Sequence, residues 1–179
     1  TGEDTGDTGE DTGFAWEDTD DTCDGRWPAM DIGAWDEGGG CGWAFLWGRN
    51  ADEAFQLDPG FDPASVDDGV DVLHERDFGD GATLEVIALD GGGTGGEFWS
   101  CSDYIELLEG TLWQAVSGTV RVEARYVCTF DDPYCGDDEY EYHAVVWLTD
   151  VVLRAPDGTE RAWPDTDLRV LLGTDECGG

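Results

Sequence analysis

In the stretch "TVRVEARYVCTF" apolar and polar residues take turns. Val120, Val122, Ala124, Tyr126, Cys128 and Phe130 share one side, and Arg121, Glu123, Arg125 and Thr129 share the other. A repeat of two is that of an extended chain, whose successive side chains point to opposite faces, so the stretch predicts a half-buried strand. The pattern returns in "YEYHAVVWLTDVVLR", which groups Tyr140, Tyr142, Ala144, Val146 and Leu148 and then slips near Asp150. A β-bulge at Asp150 accounts for the slip. "APDGTE" predicts a tight hairpin turn at Asp157 and Gly158. "LRVLLG" reads as a closing strand, and "GWAFLWG", "VDVLHE" and "ATLEVIAL" as further strands. The glycine tract "DGGGTGGE" reads as a loop between two of them.

Helix signals are short. Asp62 before Pro63 opens a turn that Gly69 ends. "DYIELLEG" fits a turn of helix capped by Asp103 and stopped by Gly110, and fits a strand equally. Roughly seven or eight strands with turn signals between them predict an all-β fold, an antiparallel β-sandwich or jelly roll.

The ends of the chain differ in chemistry. "TGEDTGDTGEDTG" has no apolar residue before Phe14, and residues 1–24 carry ten acids and no base. Such a segment cannot bury enough surface to offset the entropy of ordering it, so residues 1–22 are expected to be a disordered acidic linker. Residues 23–179 are expected to form a single β domain. Asp-Thr-Gly also surrounds the catalytic aspartate of pepsin-like proteases, but there apolar strands hold two such carboxylates together, and here the neighbours are Asp, Glu and Gly. The whole chain has 43 acids against 8 basic residues, all of them Arg, for a formal net charge of −35. A field of that sign repels nucleic-acid phosphates and anionic lipid headgroups, and favours divalent cations or cationic surface partners. No apolar run approaches the ~20 residues of a membrane-spanning helix, so direct insertion in a membrane is not expected.

Six cysteines, an even number with no Cys-x-x-Cys pair, predict disulfides and an oxidising compartment. The Pro-bearing turn in "CTFDDPYC" would fold Cys128 back beside Cys135. Cys23 with Cys41, and Cys101 with Cys177, complete the expected set. An Asp-Thr-Gly-repeat stalk on Thr1 to Asp24 joined to a Cys-rich and Trp-rich β domain, "SGTVRVEARYVC" to "LRVLLGTDEC", resembles the exported surface lipoproteins and secreted acidic proteins of some Gram-negative bacteria. The resemblance implies an extracellular or bacterial cell-surface address, with a lipid anchor upstream of Thr1 as a further expectation.

Calcium is the expected ion. In "DDTCDGRWPAMD", Asp20, Thr22, Asp24 and Asp31 fall at the first, third, fifth and twelfth places of an oxygen-ligand loop, with Gly25 at the bend. Pro28 and the absence of flanking helix patterns favour the other reading, a hinge from stalk to domain. Asp131, Asp132, Asp137 and Asp138 form a second cluster, which the Cys128–Cys135 link would gather so that mutual repulsion favours a bound cation. A solvated acidic loop is the favoured reading there, as it is for Asp58, Asp62, Asp67 and Asp68. His74 and His143 lack metal spacing and suit hydrogen-bonded structural roles. No serine lies in a Gly-x-Ser-x-Gly setting. Of the nine tryptophans, most are expected in the core. Trp147 falls on the face with His143, opposite Val146 and Leu148, and is exposed if only one sheet face is covered. Trp147 and His143 are the candidate ligand-binding pair, and packing of Trp147 in the core or against a second sheet is the favoured reading of that ring. The functional expectation is a non-enzymatic extracytoplasmic binding or structural module of unassigned ligand, with calcium as its candidate ion. A carbohydrate-binding domain that uses Trp and carboxylates is the alternative, followed by a hydrolase with paired carboxylates.

Overall fold

The computed structural model of the chain describes residues 35–41, 45–60, 72–91, 93, 95–100, 105–131 and 138–173, with the backbone alone at 40–41, 126–131, 138–143 and 170–173. These residues form eleven strands: β1 (Glu37–Cys41), β2 (Phe45–Arg49), β3 (Glu53–Asp58), β4 (Val72–Asp77), β5 (Thr83–Ala88), β6 (Gly96–Trp99), β7 (Ile105–Leu108), β8 (Thr111–Asp131), β9 (Asp138–Arg154), β10 (Glu160–Ala162) and β11 (Thr166–Gly173). The all-β expectation holds: among the described residues there is no helix, and every pairing between these strands is antiparallel.

Nine strands make one sheet that the long β8–β9 hairpin folds into two layers. The start of β8 pairs with β5, and its later half pairs with β4. On the other side of the hairpin, β9 pairs with β11 through Glu141–Leu148 and with β10 through Val152–Arg154. One layer therefore runs β1-β2-β3-β5-β8-β9-β10 and the other β4-β8-β9-β11. The fold line lies where the alternation slips. The register passes from Ala115↔Leu153 to Ser117↔Val152 and then to Thr119↔Thr149. One residue is thus extra on β8 at Val116, and one on β9 across Asp150 and Val151. Asp150 adopts φ 52° and Gly118 adopts φ 112°. The paired irregularities return Val120 and Leu148 to the inner face that Ala115 and Leu153 left, so one hairpin serves both layers with a single buried side.

Between the layers Leu46, Phe55, Leu57, Leu84 and Val86 meet Val120, Val122, Ala144, Val146, Leu148 and Leu168. Fully burying a side chain of this size contributes about 1.5–3 kcal/mol, which is what the alternation in β8 and β9 achieves.

The segment "DYIELLEG" resolves to a strand. Ile105–Leu108 pairs with Gly96–Trp99, the end of the glycine tract, as a separate two-stranded ribbon. Phe98 and Leu108 from this ribbon pack with Ala54 and Ile87 on the back of the larger layer. The centre of that layer is thereby buried on both faces. The Asp62–Gly69 turn lies outside the described residues.

Candidate functional site

The residues singled out for ion binding divide by position. Asp20, Thr22, Asp24, Asp31, Asp132 and Asp137 lie outside the described residues, as do Cys23, Cys101, Cys135 and Cys177. Asp131 and Asp138 are directly opposed as the last pair of the β8–β9 ladder. Cys41 ends β1 opposite Phe45, and Cys128 lies in β8 opposite Glu141. Among the described residues no group of three or more His, Cys, Asp or Glu side chains is placed to hold a metal ion.

Trp147 lies on the outward face of the smaller layer, in a cross-strand row with Glu75, Arg121 and Asp167. It is half-buried, because the Arg121 guanidinium sits over its ring at 5.1 Å while bonding Glu123 at 3.3 Å. His143 is opposed to Arg125 and Leu171 along the same strand. The ring that alternation suggested as an open platform is thus covered on one side by a cation from the neighbouring strand. His74 Nε2 lies 3.2 Å from the Pro59 carbonyl, a structural contact of a half-buried imidazole.

A different tryptophan borders a cavity. At one end of the inter-layer core Trp35 packs edge-on against Phe55 at 4.7 Å and stacks on Trp163 at 5.9 Å. Beyond Trp163 the Arg161 guanidinium lies 5.9 Å from that ring and 4.6 Å from the ring of Trp113. Its Nη1 bonds the Glu53 carboxylate at 2.6 Å. Arg161 Nε and Nη2 are buried with no hydrogen-bond acceptor among the described residues, as are the indole N–H groups of Trp113 and Trp163. For the guanidinium, the negative faces of two indoles supply the attraction that an oxygen would otherwise give. A ladder of ring, ring, cation and ring therefore leads from the core to Trp113.

Beside Trp113 opens a cavity of about 520 Å³, bounded by Gly93, Gly95, Gly110 and the turn that bears Asp157 and Thr159. That volume falls in the range of about 300–1,000 Å³ typical of small-molecule sites. Its glycine wall is a close approach of two chain segments. Gly95 N donates to Gly110 O at 2.8 Å, and a Cβ on Gly110 would strike the Ala88 carbonyl. Bare backbone is therefore the only lining these positions allow. The opposite wall is the turn expected from "APDGTE". Ala155 N donates to Thr159 O at 2.9 Å, Gly158 N to Ala155 O at 3.0 Å, and Gly158 has φ 88°. Asp157 Oδ1 accepts from Thr159 N at 2.8 Å. That bond, with a further one from the Thr159 side chain, holds the Asp157 carboxyl below its ordinary value, so it stays anionic at the cavity wall.

The arrangement defines an all-β, two-layered module with an aromatic-walled cavity at one end of its core. Compared with known proteins, the chain matches no family model, no curated protein and no solved structure.

Proposed function

We propose that the protein is a non-catalytic, extracytoplasmic binding module whose end cavity takes a neutral saccharide. The observation that carries this reading is the cavity itself: an indole, a wall of bare glycine backbone and a fixed carboxylate converge on one space of suitable volume. A sugar ring offers a C–H face that packs on an indole and hydroxyls that donate to a carboxylate, so each wall has its counterpart. Six cysteines and a charge of −35 support the extracytoplasmic address.

Calorimetric titration of the full chain with a panel of neutral mono- and oligosaccharides tests the reading. At least one is expected to bind more tightly than about 1 mM. Trp113→Ala and Pro156→Arg, the latter at an exposed position on the cavity rim, are expected to weaken that affinity at least about tenfold, or about 1.4 kcal/mol. No heat from any member of the panel, or full affinity in Pro156→Arg, would sink it.

A second reading retains calcium, at the tip of the β8–β9 hairpin. It is favoured by the register that sets Asp131 directly opposite Asp138. Like charges directly opposed on a sheet destabilise it, and a divalent cation there relieves the repulsion. At a hundredfold excess over its Kd, calcium would add about 2.7 kcal/mol to the folded state. For a domain of this size that raises the melting temperature by roughly 5–10 °C relative to EGTA. Asp131→Asn with Asp138→Asn is expected to abolish the rise. An identical melting temperature in calcium and in EGTA would remove this reading.

A further inference from the structure

The β6–β7 ribbon carries three of the five large hydrophobic side chains exposed among the described residues: Trp99 at 40%, Ile105 at 61% and Leu107 at 76%. They come together through register. Trp99 is opposed to Ile105 and Glu97 to Leu107, while Phe98 and Leu108 face the other way into the core.

The two edges of the ribbon are treated differently. Along β6, Gln56 of β3 acts as a clamp. Its Nε2 donates to the Glu97 carbonyl at 2.8 Å, and its Oε1 accepts from Trp99 N at 2.8 Å. Backbone groups of an antiparallel pair alternate between partner and outside. Since Glu97 and Trp99 point their N–H and C=O away from β7, the opposed Leu107 and Ile105 point theirs away from β6. Among the described residues no strand pairs with β7 other than β6. The four residues Ile-Glu-Leu-Leu place neither proline nor lysine on that edge, and its one charged side chain, Glu106, is an acid that repels acidic strands and attracts basic ones.

The geometry points to β7 as a docking edge for an extended peptide segment in which apolar and basic residues alternate. The added strand would hydrogen-bond the backbone of Ile105 and Leu107 and set its apolar side chains beside theirs. Charge complementarity selects the rest of its chemistry. Glu106 lies on the face of β7 where the added strand's alternate residues fall, with 54% of its side chain exposed and one base, Arg49, at 3.0 Å, while exposed Glu97 and Glu109 border the apolar row on the other face and leave no base beside it among the described residues. A second copy of this chain carries the same net charge of −35, and the mutual repulsion opposes that occupant.

The probe is a fluorescent ten-residue peptide alternating valine and lysine, titrated by anisotropy against the full chain. Two comparison peptides replace every lysine by glutamate, or methylate the backbone nitrogens on one edge. The valine-lysine peptide is expected to bind, and to weaken at least tenfold with N-methylation, with Leu107→Pro, and with Ile105→Ser plus Leu107→Ser. The double serine variant leaves the buried Leu108 face untouched and keeps the test open should Leu107→Pro fail to fold. The glutamate peptide is expected not to bind. Equal binding of the methylated peptide, or full binding by the double serine variant, would reduce the effect to bulk charge attraction and overturn the proposal. Absence of binding, preference for the glutamate peptide, or concentration-dependent dimerisation abolished by the serine variants would overturn it too.

Discussion

Gly118→Ala is expected to destabilise the folded chain by about 3 kcal/mol or more, read as a lower urea midpoint at unchanged slope. Two effects add at this position. Its φ of 112° is a conformation that L side chains rarely adopt. A Cβ built there also falls 2.6 Å from Val151 Cα and 2.9 Å from the carbonyl oxygens of Asp150 and Thr149, all of them backbone that cannot swing aside. Gly118 moreover lies on the fold line between the two layers, where its carbonyl accepts from Phe78 N at 3.0 Å. Relief of the clash must therefore move the hairpin that both layers share. Gly158→Ala is the comparison. Gly158 also has positive φ, at 88°, but nothing lies within 4 Å of its added Cβ, so only the torsional cost of about 1–2 kcal/mol remains. Equal losses at the two sites would show that backbone angle alone matters and that the fold line tolerates displacement.

The other large effect is expected at Arg161→Met, at about 2–4 kcal/mol. The substitution keeps an apolar stem between Trp113 and Trp163 but removes the cation from both rings and from Glu53. Much of the loss comes from the group left behind: the Glu53 side chain is only 23% exposed, and a carboxylate in such a place without its partner is costly. Solvent reaches a third of the Arg161 side chain, which trims the ion-pair share below that of a fully buried pair. Glu53→Gln combined with Arg161→Met should recover part of the loss. A double-mutant cycle is expected to give a coupling of about 1 kcal/mol or more, and strict additivity would show that the pair contributes nothing as a pair.

Local rules reached far into this fold. Alternation identified β8 and β9 because each repeats inside and outside on neighbouring residues, although the single face expected from Val120 to Phe130 is broken by a register shift between Tyr126 and Cys128, and the slip at Asp150 was visible because two apolar residues followed where one was due. The Asp157–Gly158 turn was legible for the same reason, since its backbone angles belong to two adjacent residues. Strands β1, β3, β6 and β10 were not. "EGGGC" has no side chains to alternate, "ERA" is too short to show a period, and Gly96–Trp99 continues a glycine tract. In "EAFQLD" both Ala54 and Phe55 are buried, on opposite faces, so the pattern of a strand with one wet side is missing.

The candidate site followed the same division. Nine tryptophans were plain in the sequence, and their roles were not. Alternation sets Trp147 on the face opposite Val146 and Leu148, but the Arg121 guanidinium that covers it comes from the next strand through register. Nothing within several residues of Trp113 announces a cavity. The turn at Asp157 and the glycines at 93, 95 and 110 reach it only when β8, β9 and β10 are assembled. What the sequence by itself determined is an all-β chain with two long alternating strands, a slip at Asp150, a tight turn at Asp157–Gly158 and a strongly acidic composition, because alternation, turn residues and charge are short-range properties. Which face each ring meets, which edge stays open and where a cavity forms were decided only in the tertiary structure, because those depend on partners tens of residues away, about which a period of two carries no information.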